Sequence, residues 1–128
     1  MKASDSDHGE AKAVVDLEQL EAACDGDPGL MRELVDLYFG QADQIIAGLG
    51  KGIAAGDVSE VDHLAHKLAG SSLACGMSAV VAPLRQLEQN AKAGHLNGAA
   101  DLHAQASERL ETVRRFMQTH LQGDSNNP

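Results

Sequence analysis

Along most of this chain apolar residues recur at every third or fourth position, and no segment alternates apolar with polar between turn signals. Leu30, Leu34, Leu37, Gln41, Ile45 and Leu49 form one such series, and Val61, Ala65, Leu68, Ser72 and Cys75 a second. Val80, Val81, Leu84, Leu87 and Ala91 make a third, and Ala100, Ala104, Leu110, Val113, Met117 and Leu121 a fourth. Spacing of this kind gathers each series on one stripe of a helix. Aromatic residues are only 2% of the chain, so the interior must be built from Leu, Val, Ile, Ala and Met. Such a core suits packed helices better than a sheet, whose strands favour aromatic and β-branched residues.

Helix signals divide the chain into five segments. Asp16 caps a short first helix over 17–24. Asp27, followed by Pro28 at the first helical position, opens a long second helix over 28–54. Met31, Val35, Phe39 and Ile46 give that helix a second apolar face, so it packs on two neighbours or offers one side to a partner. Asp57 caps the third helix and Gly76 ends it. Ser78 is placed to cap the fourth, with Pro83 inside it to kink it or delay its regular start, and Gly94 closes it. The fifth runs over 97–121. Short connections make consecutive helices antiparallel neighbours. The expected fold is all-α: an antiparallel up-down four-helix bundle over 14–122 with a short additional N-terminal helix. Residues 1–13 read as a disordered polar start and 123–128 as a frayed tail.

The formal net charge of −9 argues against nucleic-acid binding, which needs a basic face, and against an anionic membrane surface. No apolar run approaches the roughly 18 residues that span a bilayer, and the start of the chain has no apolar signal segment. A cytoplasmic protein is expected. Cys24 and Cys75 belong to no Cys-x-x-Cys pair and read as buried free thiols.

The third helix carries the chemistry. With its core stripe centred between Val61 and Leu68, His66 falls about 150° from the core and faces solvent. Gly70 lies about 40° from His66 and one turn on. Glycine inside a helix costs on the order of 1 kcal/mol relative to Ala, which makes sense where another molecule must come close. His63, Ala69 and Leu73 flank the pair, Ala69 about 60° from His66, and are expected to form a docking surface. A neutral imidazole is a competent nucleophile toward phosphorus near neutral pH. His63, His66 and the nearby Asp62 supply too few ligands for a convincing metal site. His8, His95, His103 and His120 read as solvated or helix-end residues.

The run at 65–77, Ala-His-Lys-Leu-Ala-Gly-Ser-Ser-Leu-Ala-Cys-Gly-Met, resembles the signature of histidine-containing phosphotransfer domains, Ala-His-x-Leu-x-Gly-Ser-Ser with a second Gly shortly after. Leu87-Glu88, Lys92 and Gly94 look like the family's second motif. The resemblance implies a four-helix bundle with His66 transiently phosphorylated. It also implies partner receiver domains, of response regulators or of a hybrid histidine kinase. The expected function is relay of a phosphoryl group between receiver aspartates. The competing reading is a non-catalytic helical adaptor that uses the same face. No ATP-binding loop is present and no cofactor is implied for the chain, the Mg²⁺ ion being expected on the receiver. One departure stands out: Ala69 occupies a position where many members carry a Lys that assists the phosphate. Lys67 can partly compensate through its long stem. If the hairpin turns near Gly76, His66 lies level with 86–89, so Glu88 or Gln89 can hydrogen-bond the imidazole and Lys92 or Arg85 can add positive charge. At least one of Ser71 and Ser72 is expected to satisfy a backbone carbonyl inside the bundle.

Overall fold

The computed structural model describes residues 14–126, with side chains described for 14–122. Residues 1–13 and 127–128, expected to be disordered start and end of the tail, lie outside the described residues. Among the described residues five α-helices follow one another: α1 (Leu17–Ala23), α2 (Pro28–Ala55), α3 (Val58–Ala74), α4 (Val81–Lys92) and α5 (Ala99–Asn126). A short 3-10 turn, Ser78–Val80, precedes α4.

The caps explain the starts. Asp16, Asp27 and Asp57 each accept backbone N–H groups of the first turn that follows, from Gln19, from Gly29 and Leu30, and from Glu60. Gly56 ends α2 in the left-handed conformation, its N–H returning to the carbonyls of Gly52 and Ile53. Ser78 does not cap α4; its hydroxyl lies 3.4 Å from the Gly76 carbonyl oxygen. The α-helical start is deferred to Val81, which places Pro83 in the first turn, where its missing N–H has no helical acceptor to lose. Helix α5 extends to Asn126.

Contacts run from α2 to α3, α3 to α4, α4 to α5 and α5 back to α2, which closes a four-helix ring. As numbers rise along α2 they fall along its neighbours: Tyr38 meets Ser72 and Gln41 meets Ser71, while Asp43 meets Arg114 and Ile46 meets His103. Neighbouring helices are therefore antiparallel. His103 is a half-buried donor to the Ile46 carbonyl oxygen at 2.9 Å, rather than a solvated residue.

The core is aliphatic. Val61, Ala65, Leu68 and Ser72 of α3 are buried as expected, with Leu84, Leu87 and Ala91 of α4 and Leu110, Val113 and Met117 of α5. Cys24 and Cys75 are free and buried. Two stripes differ from expectation. On α2 the buried line is Met31, Val35, Tyr38, Ala42, Ile45 and Leu49, whereas Leu30 and Leu37 are 48% and 72% exposed. The series beginning at Leu30 merges with the buried line only at Ile45 and Leu49, and its earlier members lie one residue off it. On α5 Ala100 and Ala104 are exposed while Ala99 and Ala106 are buried, because alanine carries too little apolar area to mark a face.

Candidate functional site

Helix α3 packs between α2 and α4 and keeps one arc open to solvent, through His63, His66, Lys67, Gly70 and Leu73. His66 stands on that arc with its side chain 65% exposed. Its Nδ1 lies 2.6 Å from Oε2 of Glu88 on α4. Glu88 is almost wholly buried, one of two buried polar or charged residues among those described. Arg85 donates to its Oε1 at 2.8 Å and Lys92 to its Oε2 at 2.9 Å. Lys92 also lies 3.6 Å from Asp62 on α3. Burial pushes the Glu88 carboxyl up, but hydrogen bonds from Lys92, Arg85 and His66 outweigh it and hold the group down to about 2. Glu88 is thus a carboxylate at any physiological pH, able only to accept.

That carboxylate orders the imidazole. In the neutral ring, an acceptor 2.6 Å from Nδ1 selects the tautomer with its proton on Nδ1 and the lone pair on Nε2. Burial of Glu88 between two helices fixes the ring direction, as a charge-assisted bond of this length does.

The surroundings are open where the sequence calls for openness. Gly70 is exposed, and a Cβ placed there would meet nothing within 4 Å. Leu73, one turn further, is 51% exposed. His63 and Lys67 are also exposed, and so is Gln89, which makes no hydrogen bond to His66. Ala69 is a correction: it is fully buried and does not belong to the exposed face. A wheel centred on one core stripe treats α3 as one-sided, whereas its packing against both α2 and α4 extends the buried arc over Ala69.

The two serines bind side chains rather than carbonyls. Ser72 shares a buried hydrogen bond of 2.6 Å with the Tyr38 hydroxyl, and Ser71 donates to Gln41 Oε1 at 3.0 Å. Burial pushes the Tyr38 hydroxyl up to about 12 despite the bond to Ser72, so it stays protonated. Sequence reasoning passed over Tyr38. Its signal was that the one tyrosine of an aromatic-poor chain lies on the same helix face as the apolar core residues, where a phenol needs a partner. Among the described residues no group of three His, Cys, Asp or Glu side chains could hold a metal ion, and no helix is long and apolar enough to cross a membrane.

The site is thus a buried carboxylate bonded to an exposed histidine on the face of a four-helix bundle. A family model for the Hpt domain matches residues 33–116, a span that includes His66 and Glu88. The chain is 26% identical over 110 residues to histidine-containing phosphotransfer protein 4 of Arabidopsis thaliana, covering 84% of this chain and 85% of that one. Its fold is similar to the crystal structure of histidine-containing phosphotransfer protein B from Pseudomonas aeruginosa, with a TM-score of 0.79 and 23% identity over 85% of this chain and 95% of that one. The chain belongs to the Hpt domain family, and its role is histidine phosphotransfer in a phosphorelay.

Proposed function

We propose that His66 carries the phosphoryl group, on Nε2, and passes it between aspartates of receiver domains. The observation that carries this reading is the 2.6 Å bond from Nδ1 to the buried Glu88, which leaves Nε2 as the free nitrogen of a ring 65% exposed. Phosphoryl transfer demands mainly in-line positioning and neutralisation of charge. A receiver that brings its own aspartate and Mg²⁺ needs only an oriented nucleophile and room to approach. Gly70 supplies the room. Leu73 on α3, one turn from Gly70, supplies exposed apolar area, being 51% exposed. His63 and Lys67 border the same arc. Ala69, being buried, takes no part in docking.

The working unit is the bundle over 14–122. It acts in the cytoplasm, where receivers reside, and a receiver of a hybrid histidine kinase is one natural donor. Incubation of the full chain with a phosphorylated receiver should yield acid-labile, base-stable phosphate on His66. His66→Gln should fold normally and take none. Phosphate retained by His66→Gln would place the chemistry elsewhere, with His63 the first suspect. Receiver binding without phosphate transfer would make the chain an adaptor.

A further inference from the structure

The Glu88 cluster bears on what happens after phosphorylation. When the Nε2 lone pair attacks the phosphorus of a receiver's aspartyl phosphate, the Nε2–P bond forms and the P–O bond breaks, its electron pair leaving on the aspartate carboxylate. The ring's own proton stays on Nδ1, so the product is an N-phosphoimidazolium. In the outward step an aspartate oxygen attacks phosphorus, the N–P bond breaks, and its electron pair returns to Nε2 as a neutral imidazole. If Nδ1 loses its proton in between, the leaving group becomes an imidazolate, which is far more basic and leaves poorly. The fate of one proton therefore sets how readily the phosphoryl group departs.

Resting on the reading of His66 above, we infer that Glu88 holds the Nδ1 proton on phosphorylated His66, so that the protein carries its phosphoryl group on an imidazolium through neutral pH and above. An ionised carboxylate is an acceptor only. With Oε2 at 2.6 Å, loss of the Nδ1 proton would set a ring lone pair against a buried anionic oxygen. A side-chain amide in the same place could turn its N–H to a deprotonated Nδ1, or its oxygen to a protonated one, and would favour neither. Burial keeps Glu88 from turning away, and Arg85 on Oε1 fixes its plane.

The other charges near His66 modulate this. From α4 come Arg85 and Lys92, and from α3 itself Asp62, His63 and Lys67. Helix α2 reaches α3 through the neutral Tyr38 and Gln41, which are bound to Ser72 and Ser71. Lys92 competes for the same Oε2 that accepts from His66, so it weakens the hold on the proton. Glu88 and Lys92 of α4 thus act on Nδ1 with opposite sign.

The test uses the full chain labelled with ¹⁵N in its histidine rings and phosphorylated with phosphoramidate, which needs no receiver. Ring ¹⁵N shifts of phospho-His66 are followed with pH, and hydrolysis of the N–P bond is timed over the same range. Glu88→Gln should lower the pH at which Nδ1 loses its proton by about one unit and, above that pH, slow hydrolysis about tenfold. Lys92→Met, which keeps Glu88, should raise the same midpoint. Equal midpoints in the wild type and Glu88→Gln, or a Lys92→Met midpoint that falls, overturn the inference while leaving His66 as the phosphorylated residue. Failure of His66 to accept phosphate from either phosphoramidate or a receiver overturns the functional reading and this inference together.

Discussion

Gly70 should be costly to the fold and necessary to the transfer, and one substitution can separate the two. A Cβ at Gly70 meets nothing within 4 Å, so a side chain fits without displacing any atom. The helix then gains the difference in propensity between glycine and a straight-chain residue, about 0.5–1 kcal/mol. Gly70→Gln should therefore raise the urea midpoint at unchanged m-value. The same side chain projects from the exposed arc one turn from His66, into space a receiver must enter. Transfer from a phosphorylated receiver should slow at least tenfold, equivalent to about 1.4 kcal/mol. Gly40 is the control. It too is exposed in a helix with nothing within 4 Å of a Cβ, but it lies on the α2 face toward Arg114 and Met117, away from His66. Gly40→Gln should stabilise by a similar amount and transfer at the wild-type rate. If Gly70→Gln is more stable and transfers as fast as the wild type, the receiver does not approach along this face and the docking argument fails.

Tyr38→Phe strands the Ser72 hydroxyl in the core and should cost about 1–3 kcal/mol in urea unfolding, whereas Tyr38→Phe with Ser72→Ala should cost less than the single change; a strictly additive pair would refute the coupling. Ala69→Lys must bring an ammonium out of a fully buried position, so it should lower the urea midpoint rather than assist transfer; an unchanged midpoint would show that the side chain escapes to solvent. The Glu88 carboxyl ionises near 2 in the folded chain against 4.5 ordinarily, so its contribution is complete above about pH 4.5 and is lost as the pH falls through 2. Screening through the partly exposed Arg85 and Lys92 reduces that contribution to on the order of 1–3 kcal/mol. The stability gap between wild type and Glu88→Gln should accordingly close between pH 4.5 and 2, and a gap that is constant over that range would refute the linkage.

Much of the bundle was legible because helix caps and stripes are local. Asp16, Asp27 and Asp57 cap where their positions before apolar series place them, and the α3 stripe is buried as spaced. The pairing of α3 with α4 was legible as well, since a hairpin turned near Gly76 sets His66 level with Glu88. What was not legible depends on how many neighbours a helix has. Ala69 is covered because α3 has two, and Leu30 and Leu37 stay exposed because they lie one residue off the line that α2 buries. The Tyr38–Ser72 bond joins residues 34 apart in the chain, and no local rule pairs them. Ser78 carries a capping side chain, but the 3-10 turn there leaves the first α-helical turn three residues further on.

The turn between α3 and α4 is tied down from outside the hairpin. Asp16 donates its N–H to the Gly76 carbonyl oxygen at 2.7 Å, and Gln19 Nε2 donates to the Ala74 carbonyl oxygen at 3.1 Å. Gly76 has φ +75, and a Cβ there would run into the Asp16 carbonyl, so no other residue fits both the conformation and the contact. The closed end of the hairpin works as a gauge block for its open length. A slip of one residue at the turn would carry Glu88 about 1.5 Å along its axis and about 100° around it, far out of reach of Nδ1. The first helix and one glycine, several turns from His66, thereby hold the calibration of a 2.6 Å bond.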